Sequence, residues 1–305
     1  MNEIDAIQLN YNRDNIFIVN ISLAFIMFGV ALGLTIEDFR RVLIQKKPVL
    51  VGLLSQFVIL PALTFFLVLV FQPIPSIALG MMMVAACPGG NISNFITSFA
   101  KGNSALSVSL TAVSSILAIA MTPLNLSFWG SMYAPTAAIL QEVSLDIFEV
   151  FKTIVLILGL PIVLGMVVRN YFPKTTQKIQ PSMQILSIII FSGLVIGAFS
   201  ANFNLFLTYI KYILLIVLIH NAVALFSGYQ LAKFFKLPMP DRRSLSIETG
   251  IQNSGLGLLL IFAFFDGLGG MAIIAGWWGI WHIISGLILG SWWHRRPMLA
   301  WQKEI

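Results

Sequence analysis

The sequence predicts an all-α polytopic membrane protein, a single integral unit over residues 1–305. Three observations predict it. Composition is the first: 58% of residues are hydrophobic and only 10% charged, with a mean hydropathy of +0.91. A soluble domain carries about a quarter charged residues, so water is not the solvent for most of this surface. The second is a series of nine apolar runs of the length that crosses a bilayer. The third is a pair of polar stretches buried in two of those runs, Pro88-Gly89-Gly90-Asn91-Ile92-Ser93-Asn94 and Glu248-Thr249-Gly250-Ile251-Gln252-Asn253-Ser254.

The nine spans are read at 16–35, 48–71, 77–100, 105–127, 148–168, 183–200, 211–232, 244–265 and 272–293. Residues 1–15 are polar and do not read as a cleavable signal; the first apolar run starts near Ile16. No loop is long enough for a separate soluble domain. The connections alternate in charge. Of 18 Lys and Arg, 15 follow odd-numbered spans, among them Arg40, Arg41, Lys101, Arg169, Lys233, Arg242 and Arg243. The opposite connections hold only Arg13, Lys152 and Lys211, with most of the acids. This positive-inside bias places the amino end outside and the carboxyl end in the cytoplasm of a plasma membrane, the inner membrane in a bacterium. It also explains the net charge of +6 without a nucleic-acid partner.

Orientation makes the two interrupted spans informative. Span 3 runs inward and span 8 outward, five spans apart, as an inverted repeat requires. Nine spans do not divide evenly, so one half lacks a helix. Two discontinuous helices in corresponding halves point to a transporter's binding site.

Within that region Glu248 is the acid placed deep in a span. Unpaired membrane carboxylates are costly and functional by default. No basic residue shares its depth, so its expected partner is a metal cation or a proton. Gln252 lies one helical turn on, and Gly250 permits local unwinding. In the other half, Pro88, Gly89 and Gly90 break the helix before Ser93 and Asn94. Ser107 and Thr111 lie four apart on one face of the next span, and Gln56 sits mid-span near Pro61. Hydroxyl, amide and carboxylate oxygens without imidazole or thiolate suit hard cations, and a single carboxylate favours a monovalent one.

Blander readings apply to several of these residues. Pro88 to Gly90 can be a simple kink, Ser107 and Thr111 can bond back to their own helix, and His220 with Asn221 can be interhelical glue. Cys87, the single cysteine, reads as a small buried hydrophobe and excludes a disulfide. Trp292, Trp293 and Trp301 beside Arg295 and Arg296 read as an interfacial anchor.

The stretch Cys87 to Asn94, followed by Ala105-Leu106-Ser107-Val108 and Thr111, resembles the bile acid:sodium symporter family, as does Glu248 to Asn253. The likeness covers nearly the whole chain. It implies two co-transported Na⁺. The first would take Ser93, Asn94, Ser107, Thr111 and Glu248. The second would take Gln56, Glu248 and Gln252 with the backbone carbonyls of Thr249 and Ile251. The resemblance also implies that the broken helices cross in a core bundle (spans 2–4 and 7–9) that moves against a panel bundle (spans 1, 5 and 6). Asn253 and His282 match positions near the family's substrate cavity. The residue after His282, often Asn in bacterial relatives, is Ile283 here.

The expectation is therefore a sodium-coupled symporter importing an organic anion, bile acid-like or a small carboxylate such as pantoate or a keto acid, by alternating access and functional as a monomer. A proton-coupled anion transporter with Glu248 as proton carrier is the alternative. An intramembrane enzyme is disfavoured: H-E-x-x-H, G-x-S-x-G and an intramembrane acid pair are all missing from the sequence. A receptor that binds without translocating is disfavoured by the paired helix breaks.

Overall fold

A computed structural model describes residues 14–90, 92–143, 147–201 and 203–296. The described residues are helical throughout, apart from short connections. Helix α1 (Asp14–Ala31) leads to a short α2 (Ile36–Ile44). Helix α3 runs Lys46–Leu54, a π turn Ser55–Ile59, and Leu60–Phe71. The first interrupted span is α4 (Pro75–Ala86) and α5 (Ile92–Phe99). Next come α6 (Ser104–Met132), α7 (Ala134–Glu142) and α8, which runs Ile147–Ile154, a π turn Val155–Gly159, and Leu160–Tyr171. Helices α9 (Pro173–Ala201) and α10 (Phe203–Phe234) precede the second interrupted span, α11 (Met239–Gly250) and α12 (Ser254–Phe264). The series closes with α13 (Gly269–His294). Among the described residues, five helices are long and apolar enough to cross a membrane, and α4 and α12 are shorter apolar helices.

Local sequence explains the irregular points. Both π turns stop directly before Leu-Pro, at Pro61 and Pro161. A proline ring clashes with the carbonyl four residues back and offers no N–H, and one widened turn absorbs both defects. The first π turn carries Gln56. Helix α2 was read only as a charged connection; it folds because Thr35 caps it in a reciprocal box with Asp38. Helix α7 was not anticipated; Pro135 sits in its first turn, where a missing N–H costs nothing. Helices α5 and α10 each end on a left-handed lysine, Lys101 and Lys236, closing the last turn with bonds such as Gly102 N–H to Thr97 O and Leu237 N–H to Ala232 O.

Close backbone approach at glycine packs the helices, as expected where lipid removes the hydrophobic gain between helices. On α4, a Cβ at Gly80 would stand 2.8 Å from Met271 Cα of α13. On α10, a Cβ at Gly228 would stand 2.6 Å from Leu245 O of α11. The same device joins α1 to α8 through Gly165 and Ala31, and α1 to α9 through Gly29 and Ser187.

Gly80→Ala should therefore lower stability by about 1–3 kcal/mol, the usual cost of overpacking. Gly193→Ala, where a Cβ meets nothing within 4 Å, should be neutral or slightly stabilising by helix propensity. Thermal unfolding of the purified variants in one detergent compares the two.

Candidate functional site

The two interruptions meet. Where α4 stops at Ala86 and α11 at Gly250, both chains become extended and pair as a short antiparallel bridge, Gly89 with Gln252. Gly90 N–H donates to Ile251 O at 2.7 Å, and Asn253 N–H to Pro88 O at 2.8 Å. Each unwound strand thus satisfies backbone groups of the other. Two more of the freed carbonyls, those of Ala86 and Gly250, take side-chain donors. Thr122 of α6 donates to Ala86 O at 2.8 Å. Asn221 of α10 donates to Gly250 O at 2.7 Å and accepts from Ser285 of α13 at 2.5 Å. Exposed polar backbone costs several kcal/mol in hydrocarbon, and this accounting removes much of that cost.

The glycines act mainly through space. A Cβ at Gly89 would lie 2.7 Å from Glu248 Oε2 and 3.1 Å from Gln56 Nε2; one at Gly90 would lie 3.0 Å from Gln252 O. Gly250 stands directly before the unwound residues and also has a packing role. It is the last helical residue of α11, and the side chain of Leu225 occupies the place its Cβ would take. The glycine lets α10 approach, which brings Asn221 to the Gly250 carbonyl.

Around the crossing, Glu248 is 2% exposed. Its Oε1 accepts from Ser93 Oγ at 2.5 Å and from Ser107 Oγ. Thr111 Oγ1 lies 3.2 and 3.1 Å from its two oxygens. Asn94 Oδ1 faces the same hydroxyls, 2.8 Å from Ser107 Oγ and 3.2 Å from Thr111 Oγ1. Ser107 and Thr111 therefore point at the acid and not back along α6. Their partners, Asn94 and Glu248, come from α5 and α11, which the break holds beside α6.

Proton counting shows what this cluster needs. A carboxylate and an amide oxygen only accept, and a hydroxyl owns one proton. Ser107 and Thr111 each face both Glu248 and Asn94 and can satisfy one of them. Six oxygens share three hydroxyl protons, which leaves lone pairs open, and each of these donors is neutral. No Lys, Arg or His of the described residues comes within ion-pair distance of Glu248; the ion pairs present are Arg41–Asp38 and Lys152–Glu149, both far along the chain. Such a set can hold a hard monovalent cation. Among the described residues no group of three or more His, Cys, Asp or Glu gathers to hold a metal.

On the other side of Glu248 stand Gln56, Thr249 and Gln252. Gln252 Nε2 donates to Thr249 O at 2.7 Å, and its buried Oε1 has no partner among the described residues. Gln56 is 2% exposed, and its Nε2 likewise has no partner among the described residues. Thr249 Oγ1 is held by Ser55 Oγ at 2.8 Å. Ile251 O already accepts from Gly90 and keeps one lone pair.

The two residues matched to a substrate cavity behave differently from each other. Asn253 caps α12, its side-chain oxygen accepting from Leu256 N–H at 3.1 Å; Asn103 caps α6 in the same way. His282 of α13 is 5% exposed, with Nδ1 unpartnered among the described residues. His220 bonds Thr64 at 2.7 Å and packs on Trp278, so it is interhelical glue. Cys87 is fully buried. Asn91 and Trp301 lie outside the described residues. Trp292 fits an interfacial anchor, 46% exposed with Arg296 over its ring at 4.0 Å. Trp293 does not: it is buried between Tyr229 and Arg243.

Thr122 was not singled out in the sequence, because a threonine in an apolar helix carries no sign of which carbonyl it will meet. Thr122→Val and Asn221→Ala each strand a buried carbonyl and should cost about 1–3 kcal/mol. Ser131→Ala, which removes an exposed bond to Phe128 O, should cost almost nothing. Chemical denaturation of the three variants checks this order.

Comparison with known proteins bears on the whole chain. The model of the Sodium Bile acid symporter family matches residues 20–209. "Uncharacterized sodium-dependent transporter YocS" of Bacillus subtilis (strain 168) is 32% identical over 278 residues, 91% of this chain and 83% of that protein. "Probable sodium/metabolite cotransporter BASS2, chloroplastic" of Oryza sativa subsp. japonica is 32% identical over 240 residues, 79% of this chain. "Probable sodium/metabolite cotransporter BASS1, chloroplastic" of Arabidopsis thaliana is 30% identical over 276 residues, 90% of this chain. The chain spans 55% and 66% of the length of these two plant relatives. These relatives are named as transporters and not as enzymes. With a match across most of its length and crossing broken helices around a buried acid, the chain belongs to the sodium bile acid symporter family.

Proposed function

We propose that this protein is a sodium-coupled symporter that imports an organic anion by alternating access. The observation that carries the reading is a buried carboxylate met by neutral hydroxyls, with no basic residue of the described chain to balance it. Na⁺ supplies the missing charge without a proton. The first ion is held by Ser93, Asn94, Ser107, Thr111 and Glu248. The second is held by Gln56, Glu248 and Gln252 with the carbonyls of Thr249 and Ile251. The unpartnered Gln252 Oε1 supports the second set.

In this reading nine spans form an inverted repeat, the amino end outside and the carboxyl end in the cytoplasm. Spans 2–4 and 7–9 form the core and spans 1, 5 and 6 the panel. The glycine contacts that tie α1 to α8 and α9 support the panel grouping. The protein works as a monomer in the plasma membrane, the inner membrane of a bacterium.

The substrate's charge follows from the ions. Two Na⁺ against one carboxylate leave one positive charge in excess. A substrate carboxylate cancels it, helped by the amino ends of α5 and α12 beside the crossing. A small carboxylate such as pantoate or a keto acid fits Ile283 beside His282 better than a bile acid does. Sodium bridges α5, α6 and α11, so its binding orders the crossing and prepares the anion site. Coupling of this kind is reciprocal.

Two measurements follow. Sodium should raise the unfolding temperature of the purified protein, by the equivalent of about 2.7 kcal/mol at one hundred times its dissociation constant; Glu248→Gln should remove the effect, with potassium inert in both. In proteoliposomes, uptake of the anion should require sodium and quicken with an inside-negative potential, since one net charge moved across 100 mV gains about 2.3 kcal/mol. Sodium-free uptake driven by a pH gradient would favour the proton-carrier alternative.

A further inference from the structure

Toward the end of the bundle that carries Lys101 and Arg242, each wall of the Glu248 cluster offers another oxygen one turn on. On α5, Thr97 follows Ser93 by four residues. At the start of α6, Asn103 precedes Ser107 by four, and Ser107 N–H donates to Asn103 O at 3.0 Å. On α11, Ser244 precedes Glu248 by four. Four residues are about one turn, about 6 Å along the axis. Asp241 lies nearly a turn further, three residues before Ser244 on the same face.

These groups converge. The point where a Cβ would stand on Gly102 is 2.9 Å from Thr97 Cγ2 and 3.0 Å from Ser244 Oγ. Asn103 N–H donates to Ser244 Oγ, and Asn103 Nδ2 to Asp241 Oδ1, each at 2.8 Å. Ser244 Oγ also reaches Asn103 O at 3.1 Å and Pro240 O at 2.9 Å. Thr97 and Ser244 are fully buried and Asp241 nearly so.

A structural role explains part of this. An acid in the first turn of α11 suits the helix dipole, and Asn103 caps α6. It does not explain why Thr97 Oγ1, fully buried, has no partner among the described residues. Nor does it explain why Asp241 makes no ion pair among the described residues although Arg242 and Arg243 follow it. Both arginines turn to backbone instead, Arg242 to Leu237 O at 2.6 Å and Arg243 to Ala100 O at 2.8 Å.

We infer that Thr97, Asn103, Ser244 and Asp241 line the route by which the cation at Glu248 leaves for the basic end of the bundle, with Asp241 its last carboxylate. The inference rests on the sodium reading above. A cation leaving a dry site must exchange one oxygen for the next, and this column supplies oxygens at one-turn spacing. Asp241 also offsets the basic residues at the mouth.

The test separates rate from affinity. A lining residue changes how fast the ion exchanges, while equilibrium binding depends only on the end states. Exchange of sodium with the purified full-length protein is read from sodium NMR line broadening, beside sodium-dependent thermal stabilisation. Asp241→Asn and Thr97→Val should each slow exchange about tenfold, the effect of about 1.4 kcal/mol on a barrier. Half-maximal stabilisation should stay near its wild-type sodium concentration. Thr97→Ser, which keeps the oxygen, should restore wild-type exchange. Unchanged exchange in Asp241→Asn and Thr97→Val overturns the route, and so does a loss of sodium affinity that matches the loss of rate, which marks a structural role. Glu248→Gln distinguishes the two levels: if it keeps sodium stabilisation, the sodium reading itself has failed; if it loses stabilisation while the other variants exchange normally, only the route has.

Discussion

Two interrupted helices can exist in an apolar bundle only if each completes the other's hydrogen bonds. The pair Gly90 N–H to Ile251 O and Asn253 N–H to Pro88 O does this, and the rest of the structure depends on it. Hydrocarbon offers no replacement partner for a stranded peptide group. Thr122 and Asn221 extend the same accounting outward to the carbonyls of Ala86 and Gly250. Because the crossing is held by backbone, side chains that flank it are free for other work. Glu248, Ser93 and Asn94 stand one turn or less from the paired strands, on helices whose positions the crossing fixes.

The cluster at Glu248 then follows from electrostatics. A buried carboxylate needs a cation or several donors. Here the donors are neutral hydroxyls, and two of the three, Ser107 and Thr111, also face a second acceptor, the Asn94 amide oxygen, so the protein supplies no countercharge. A stronger solution was close by in sequence. Arg243 lies five residues before Glu248 and is fully buried, yet its guanidinium is held at Ala100 O and Trp293. The bundle keeps the arginine off the acid. An internal salt bridge would have filled the site permanently, whereas the cation proposed above can come and go.

The sequence made the breaks and the acid legible because bilayer physics forbids them elsewhere. A polar seven-residue stretch within an apolar run, a Pro-Gly-Gly, and a lone glutamate each stand out against a background of Leu, Ile and Phe. Ser107 and Thr111 could be placed on one face by spacing alone, but their direction could not, since a hydroxyl bonding its own helix leaves the same trace. Gly250 stands at the break, as its spacing suggests, but its packing role is not legible in the sequence for a related reason. Spacing shows a glycine's freedom of φ, while its actual use here is room for Leu225, which depends on where α10 packs. The π turn at Gln56 was half visible through Pro61; that a second one precedes Pro161 follows from the same clash. Helices α2 and α7 escaped notice because they are short and lie in segments read as charged or polar connections. The oxygen column from Thr97 to Asp241 spans three helices, and only their register reveals it.

The central claim is that an alkali cation, and no side chain, balances Glu248. Thallium mimics monovalent cations and scatters anomalously, so a crystal structure of the protein grown in thallium and again in sodium tests it directly. The account predicts an anomalous peak in contact with Glu248, Asn94, Ser93, Ser107 and Thr111 that sodium displaces. A Glu248 carboxylate that contacts only protein donors in both crystals, or that is paired with Arg243, would contradict it.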